Sequence, residues 1–288
     1  MTWFLDLRVQ PAGGGVAREV AVYDQDTLVP AARLQEATRN HDVLVAAHGF
    51  NVDRAFGRRS LAYWESWQSL PDGMVYLAVL WPGDSAWLPG LDYPLEGNEA
   101  IASGNLLAGF ILRHLPGAAS VSFVSHSLGA RLVLQTIRGI GGRARVRRLM
   151  LMAGAIDDSC LDDEYADAAK TVEQISVLSS YGDDVLALAF PLGNFAAGLF
   201  TRGCPYWHAA LGREGPHSTL SGKIPAGWQI PEPWHYRHHD YLPQRPPAVP
   251  PVACPQQVPP LGSPVPGWAS FDEWRPAWSA AITSTRVR

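Results

Sequence analysis

Residue types able to do nucleophilic chemistry gather around one serine. Ser125-His126-Ser127-Leu128-Gly129 follows the apolar run Ala119-Ser120-Val121-Ser122-Phe123-Val124. It precedes Ala130-Arg131-Leu132-Val133-Leu134-Gln135-Thr136-Ile137, which has a helical pattern. Strand, sharp turn and helix would carry Ser127 at the tip of the turn. A serine held there can attack a carbonyl once a base takes its proton. The turn brings strand and helix backbones close together, so small residues are needed two before and two after the serine. Ser125 and Gly129 supply them. Imidazoles that could serve as the base come later, at His208, His217, His235, His238 and His239. Carboxylates that could orient an imidazole close two apolar runs: Asp157 and Asp158 after Val146–Ala153, and Asp183 and Asp184 after Gln174–Leu178. The competing role for each of these aspartates is a helix N-cap, above all for Asp184 before Val185-Leu186-Ala187-Leu188.

A scaffold must bring these separated residues together. Val43–Ala47, Met74–Leu80, Val121–Val124, Val146–Ala153 and Gln174–Leu178 read as buried strands. Leu28–Arg39, Ala55–Gln68, Asn98–His114 and the run from Ala130 read as helices between them, and the acidic stretch Asp162–Lys170 as a surface helix. This alternation predicts an α/β fold, a parallel sheet with helices on both faces. Trp3–Val9 and Glu19–Tyr23 flank Pro11-Ala12-Gly13-Gly14-Gly15 and predict an N-terminal antiparallel hairpin on the sheet edge.

His48-Gly49-Phe50-Asn51 follows the strand at Val43–Ala47, and Trp81-Pro82-Gly83-Asp84 follows the strand at Met74–Leu80. With the serine turn coming third, the chain resembles the α/β-hydrolase superfamily over roughly residues 40–245. Within it, the likeness is to poorly characterised bacterial members with a His-Gly-Phe-Asn segment. The resemblance implies a three-layer α/β-hydrolase fold with a mostly parallel central sheet. It also implies a serine hydrolase that cleaves a carboxylic ester or thioester through an acyl-enzyme, without cofactor or metal. Ser127 becomes the nucleophile on its elbow, with an acid and then a histidine following in chain order. Asp183 is the first choice for the acid, with Asp184 and Asp157 as alternatives. His239, in the His-x-Tyr segment His239-Asp240-Tyr241, is the first choice for the base, with His238 and His217 as alternatives. The backbone N–H groups of Phe50 and Leu128 are the expected oxyanion donors. The chain departs from the family pattern at Ser125, where a glycine is usual.

Composition narrows the remaining classes. The chain has 288 residues, of which 47% are hydrophobic and 17% charged, which predicts one large globular domain over residues 1–245. Residues 246–288 read as a Pro-rich arm and a short C-terminal helix, with Trp268, Phe271, Trp274 and Trp278 packed on the same domain. A net charge of -4 offers no basic footprint for nucleic acid. Arg138, Arg143, Arg145, Arg147 and Arg148 cluster near a helix C-terminus, whose dipole they would complement. Cys160, Cys204 and Cys254 form neither a disulfide framework nor a zinc pattern. The His-rich loop lacks the Cys or carboxylate spacing of a metal site. No apolar run reaches the roughly 18 residues of a membrane span, and the first residues lack the basic and apolar regions of a signal peptide. A cytoplasmic protein is expected, and its oligomeric state is left open. Two apolar stretches, Trp87–Leu95 and Phe190–Phe200, would line an acyl pocket with Trp87, Tyr93 and Phe195, core packing being their competing role. The rival function is a non-catalytic α/β-hydrolase scaffold that binds a protein partner through its acidic segment, Pro-rich arm or C-terminal helix.

Overall fold

Successive residues of the inner strands at 43–47 and 75–80 are apolar, so both faces of the sheet need cover. A computed structural model describes residues 2–9, 15–67, 70, 72–84, 93–187, 209–218, 220, 224, 229–230 and 236–241, with the side chains of 67 and 93–96 outside that description. The elements run β1 (Trp3–Arg8), β2 (Val16–Asp24), β3 (Thr27–Val29), α1 (Ala31–Thr38), β4 (Asp42–Ala47), α2 (Arg54–Trp67) and β5 (Val75–Leu80). They continue with α3 (Tyr93–His114), β6 (Ser120–His126), α4 (Gly129–Ile140), β7 (Val146–Met152), α5 (Ala166–Thr171) and β8 (Val172–Leu178). Eight strands form one sheet in the order β3-β2-β1-β5-β4-β6-β7-β8. The β1–β2 and β2–β3 pairs are antiparallel, and the pairs from β1 across to β8 are parallel.

The period of two along each strand divides the core. Val43, Val45 and Ala47 of β4 join Leu34 of α1, Leu107 of α3, and Leu132 and Val133 of α4 on one face. Leu44 and Ala46 join Leu61 and Trp64 of α2 on the other, together with Ile230, Tyr236 and Tyr241 from the C-terminal part. Three layers result, with Ile230, Tyr236 and Tyr241 closing over the second face and Leu186, Leu211 and Ile224 adding to the first. The chain leaves β4 for β5 on one side and returns past β4 to β6 on the other. The crevice outside such a reversal, at the C-terminal ends of the strands, is where open α/β sheets place their sites.

Several element boundaries differ from those expected, three of them for a visible physical reason. Leu28 and Val29 belong to β3 rather than to the first helix, because Val29 precedes Pro30 and is steered into extended backbone. Helix α3 begins at Tyr93, not Asn98, with Pro94 in its first turn where a missing N–H costs nothing. Tyr93 is therefore a helical residue rather than part of a loop. The acidic stretch is mostly turns over 158–165, and only its end forms α5. The buried side chains of Cys160, Leu161 and Tyr165 anchor those turns. Of the arginine cluster, Arg143 does hold the Gly139 and Ile140 carbonyls at the end of α4. Arg145 and Arg147 instead pair with Glu173 and Asp42, and Arg148 bonds Gln174. Trp87, Phe195, His208, His235 and the whole Pro-rich arm lie outside the described residues.

Candidate active site

The parallel pair β4–β6 sets Ala47 opposite Ser125, so His48-Gly49 and His126-Ser127 leave the sheet side by side. That proximity demands glycine. A Cβ on Gly49 would lie 2.8 Å from the Ser127 Cβ, and one on Gly129 would lie 2.6 Å from the His48 carbonyl oxygen. Ser127 has φ 54, in the left-handed region that a side chain rarely adopts. Its N–H donates to the Met152 carbonyl at 3.0 Å, and its carbonyl accepts from Ala155 N–H at 3.1 Å. Neighbouring β7 and the residues just after it thus hold the turn in its strained form, with Ser127 at the tip. Ser125, at the position where glycine is usual, is fully buried in β6.

Two strands further along, the segment after β8 supplies a carboxylate. Asp183 is buried, and its two oxygens have separate work. Oδ1 accepts the Leu186 N–H at 2.9 Å, the N-cap role that the sequence alone had suggested for Asp184. Oδ2 lies 2.8 Å from His238 Nδ1, and His238 Nε2 lies 2.8 Å from Ser127 Oγ. The imidazole beside the serine is therefore His238 rather than His239, the first choice from the sequence. The two are neighbours in one turn, closed by Asp240, whose carboxylate accepts the Arg237 N–H at 2.8 Å. Within that turn His238 faces inward and is 5% exposed, while His239 faces solvent with its ring edge-on to His238 at 5.2 Å.

The flanking His126 adds a strut: its Nε2–H donates to the His238 carbonyl at 2.6 Å, tying the histidine turn to the elbow. Burial, with His238 beside it, pushes His126 well below the usual imidazole range, so it stands neutral in this role. Ser180 Oγ–H similarly donates to the Tyr236 carbonyl at 2.7 Å, joining the acid segment to the same turn. His217 is exposed and bonded through its N–H to the Asp158 carbonyl, and Asp157 forms a bridge with Ala210. Neither takes part in the chain of bonds at Ser127.

The His48-Gly49-Phe50-Asn51 segment is held from several sides. Trp81 Nε1–H donates to the His48 carbonyl at 2.9 Å, and the two rings stack. His48 Nδ1 bonds the Gly49 carbonyl at 2.8 Å. A trans peptide points its C=O and N–H in opposite directions, so anchoring the Gly49 carbonyl also fixes the direction of the Phe50 N–H. Among the described residues, neither Phe50 N–H nor Leu128 N–H has a hydrogen-bond partner. Leu128 opens α4, where the helix dipole favours negative charge.

Burial drives the His48 pKa down to about 3, with the Arg8 charge adding to the effect and the bond to Gly49 opposing it. The folded chain then refuses a proton that the unfolded chain accepts below the ordinary imidazole value. Stability from this group is complete above that value and is lost as pH falls toward about 3. Between about pH 7 and pH 5 the expected loss is roughly 2 kcal/mol. Urea denaturation of the wild type and His48→Gln at both pH values checks this, the variant showing the shallower decline.

This geometry is joined by a match to a known family. Residues 28–196, more than half of the chain, match the model of the family described as alpha/beta hydrolase of unknown function (DUF900). The chain belongs to this family. Among curated proteins none matches. The DUF900 match takes in Ser127 and Asp183, begins after Arg8 and ends before His238. The α/β-hydrolase fold thus stands, with a mixed sheet that is mostly parallel and antiparallel at one edge. No described helix is long and apolar enough to cross a membrane.

Proposed function

We propose that this hydrolase cleaves a carboxylic ester or thioester through an acyl-enzyme. The observation that carries the reading is the continuous chain of hydrogen bonds from Asp183 through His238 to Ser127, each 2.8 Å long. In this reading His238 Nε2 takes the proton from Ser127 Oγ as the oxygen attacks the carbonyl carbon. The protonated imidazole then gives that proton to the leaving alcohol or thiol, and the acyl group stays on Ser127. Water repeats the two steps in the second half-reaction, releasing the acid. Asp183 orients the ring and stabilises its cation. The Phe50 and Leu128 N–H groups receive the oxyanion charge. The choice of ester over amide rests on the likeness to bacterial carboxylic-ester hydrolases.

The test is hydrolysis of p-nitrophenyl esters by the full chain before and after treatment with a fluorophosphonate. Activity is expected to rise from acetate toward butyrate, since each buried methylene contributes up to about 0.8 kcal/mol in an apolar pocket. Loss of that activity on treatment is expected as well. A chain that hydrolyses no ester or thioester overturns the proposal.

A further inference from the structure

The N-terminal hairpin reaches the candidate active site through one side chain. Arg8 is the last residue of β1, and β1 lies beside β5 in the sheet with β4 next in order. Arg8 is 8% exposed. One of its terminal nitrogens donates to the Val52 carbonyl, and the other pairs with the Asp84 carboxylate. Its backbone is itself held, because Arg8 N–H donates to Asp6 Oδ1 at 3.1 Å while Arg54 occupies the other Asp6 oxygen.

Val52 ends the segment that begins at His48, and Asp84 follows directly on Gly83. Those two segments also meet through the backbone. Asn51 N–H donates to the Gly83 carbonyl at 2.5 Å, and Val52 bridges Gly83. Asn51 has φ 58, a left-handed conformation that costs free energy and persists only under constraint. Phe50 therefore stands between two anchors. His48 holds the Gly49 carbonyl on one side, and Gly83 and Arg8 hold Asn51 and Val52 on the other.

We infer that Arg8, braced by Asp84, is a positioning residue that locks the Gly49–Val52 segment so that the Phe50 N–H stays aimed as an oxyanion donor. The inference rests on the proposed hydrolase reading. It adds that a residue outside the stretch matched by the family model completes the site. A guanidinium suits the task, because its planar fork can serve a carbonyl and a carboxylate at once; the point charge of a lysine cannot do so in the same geometry. Loosening a donor costs less than deleting one, which costs about 10²–10³-fold in kcat.

Arg8→Met keeps the stem and removes the fork. Two readouts decide the matter. In ester hydrolysis, kcat is expected to fall about 10–100-fold while KM stays within about threefold, the pattern of a lost transition-state interaction. In amide hydrogen exchange, residues 49–52 are expected to exchange faster while α4 keeps its protection. If Arg8→Met is folded and either kcat or exchange over 49–52 is unchanged, the inference is overturned. A merely structural role would lower the melting temperature and leave the kcat of the folded fraction alone. Should Arg8→Met not fold, Asp84→Asn carries the same two readouts, because it unbraces Arg8 without removing it. If the wild type takes no fluorophosphonate label at Ser127, the hydrolase reading fails. The exchange measurement still decides whether Arg8 locks the segment.

Discussion

His238→Ala is expected to lower kcat for ester hydrolysis by roughly 10⁴–10⁶-fold, with His239→Ala staying within about threefold of wild type. The contrast follows from one turn of chain. His238 is buried with a ring nitrogen 2.8 Å from Ser127 Oγ, whereas His239 meets solvent. Without His238 nothing takes the serine proton, and the hydroxyl is a weak nucleophile at its ordinary pKa. Steady-state rates of the two variants, with near-ultraviolet spectra to show that both are folded, check the assignment. Equal losses in both variants would count against it.

Asp183→Asn is expected to reduce kcat by about 10⁴-fold at nearly unchanged stability. Asparagine is as good an N-cap as aspartate, so the bond to Leu186 N–H can persist. What changes is the partner of His238 Nδ1. The amide can present its NH₂ there, which favours the tautomer with Nε2 protonated and unable to accept from Ser127. Asp183→Ala should lose the cap as well and add about 1 kcal/mol of destabilisation. Rates and urea midpoints of the two variants separate the two roles of this carboxylate. A fully active Asp183→Asn variant would remove it from the mechanism.

The central features of the site were legible because they are local. The strand before Ser127 and the helix after it, with Gly129 at the turn, lie within about twenty residues of sequence. The segments at His48 and Trp81 each follow a strand directly, so their placement at one end of the sheet comes with the strands. The position of Asp183 after β8 is of the same kind. Which of two adjacent histidines faces inward is not local. It depends on the Asp240-closed turn and on the His126 bond to the His238 carbonyl, which spans the fold. Chain order cannot separate residues 238 and 239, and the His-x-Tyr likeness points to the neighbour of the ring that lies beside Ser127.

Arg8 was hidden for a related reason. A single arginine at the end of an apolar strand reads as a solvated strand end. Its partners Val52 and Asp84 become neighbours only when β1 pairs with β5. The hairpin was visible in the sequence, but its inward side chain was not. Helix starts moved where proline acted, at Pro30 and Pro94, because its effects on the preceding residue and on the first helical turn oppose or extend the apolar pattern.

The most direct test of the proposed chemistry is the site of covalent capture. The full chain would be treated with a fluorophosphonate, digested and mapped by mass spectrometry, with Ser127→Ala treated in parallel. One adduct on Ser127 of the wild type, and none on the variant, is the predicted result. An adduct on Ser125 or Ser179, or ester hydrolysis that survives in Ser127→Ala, would contradict it.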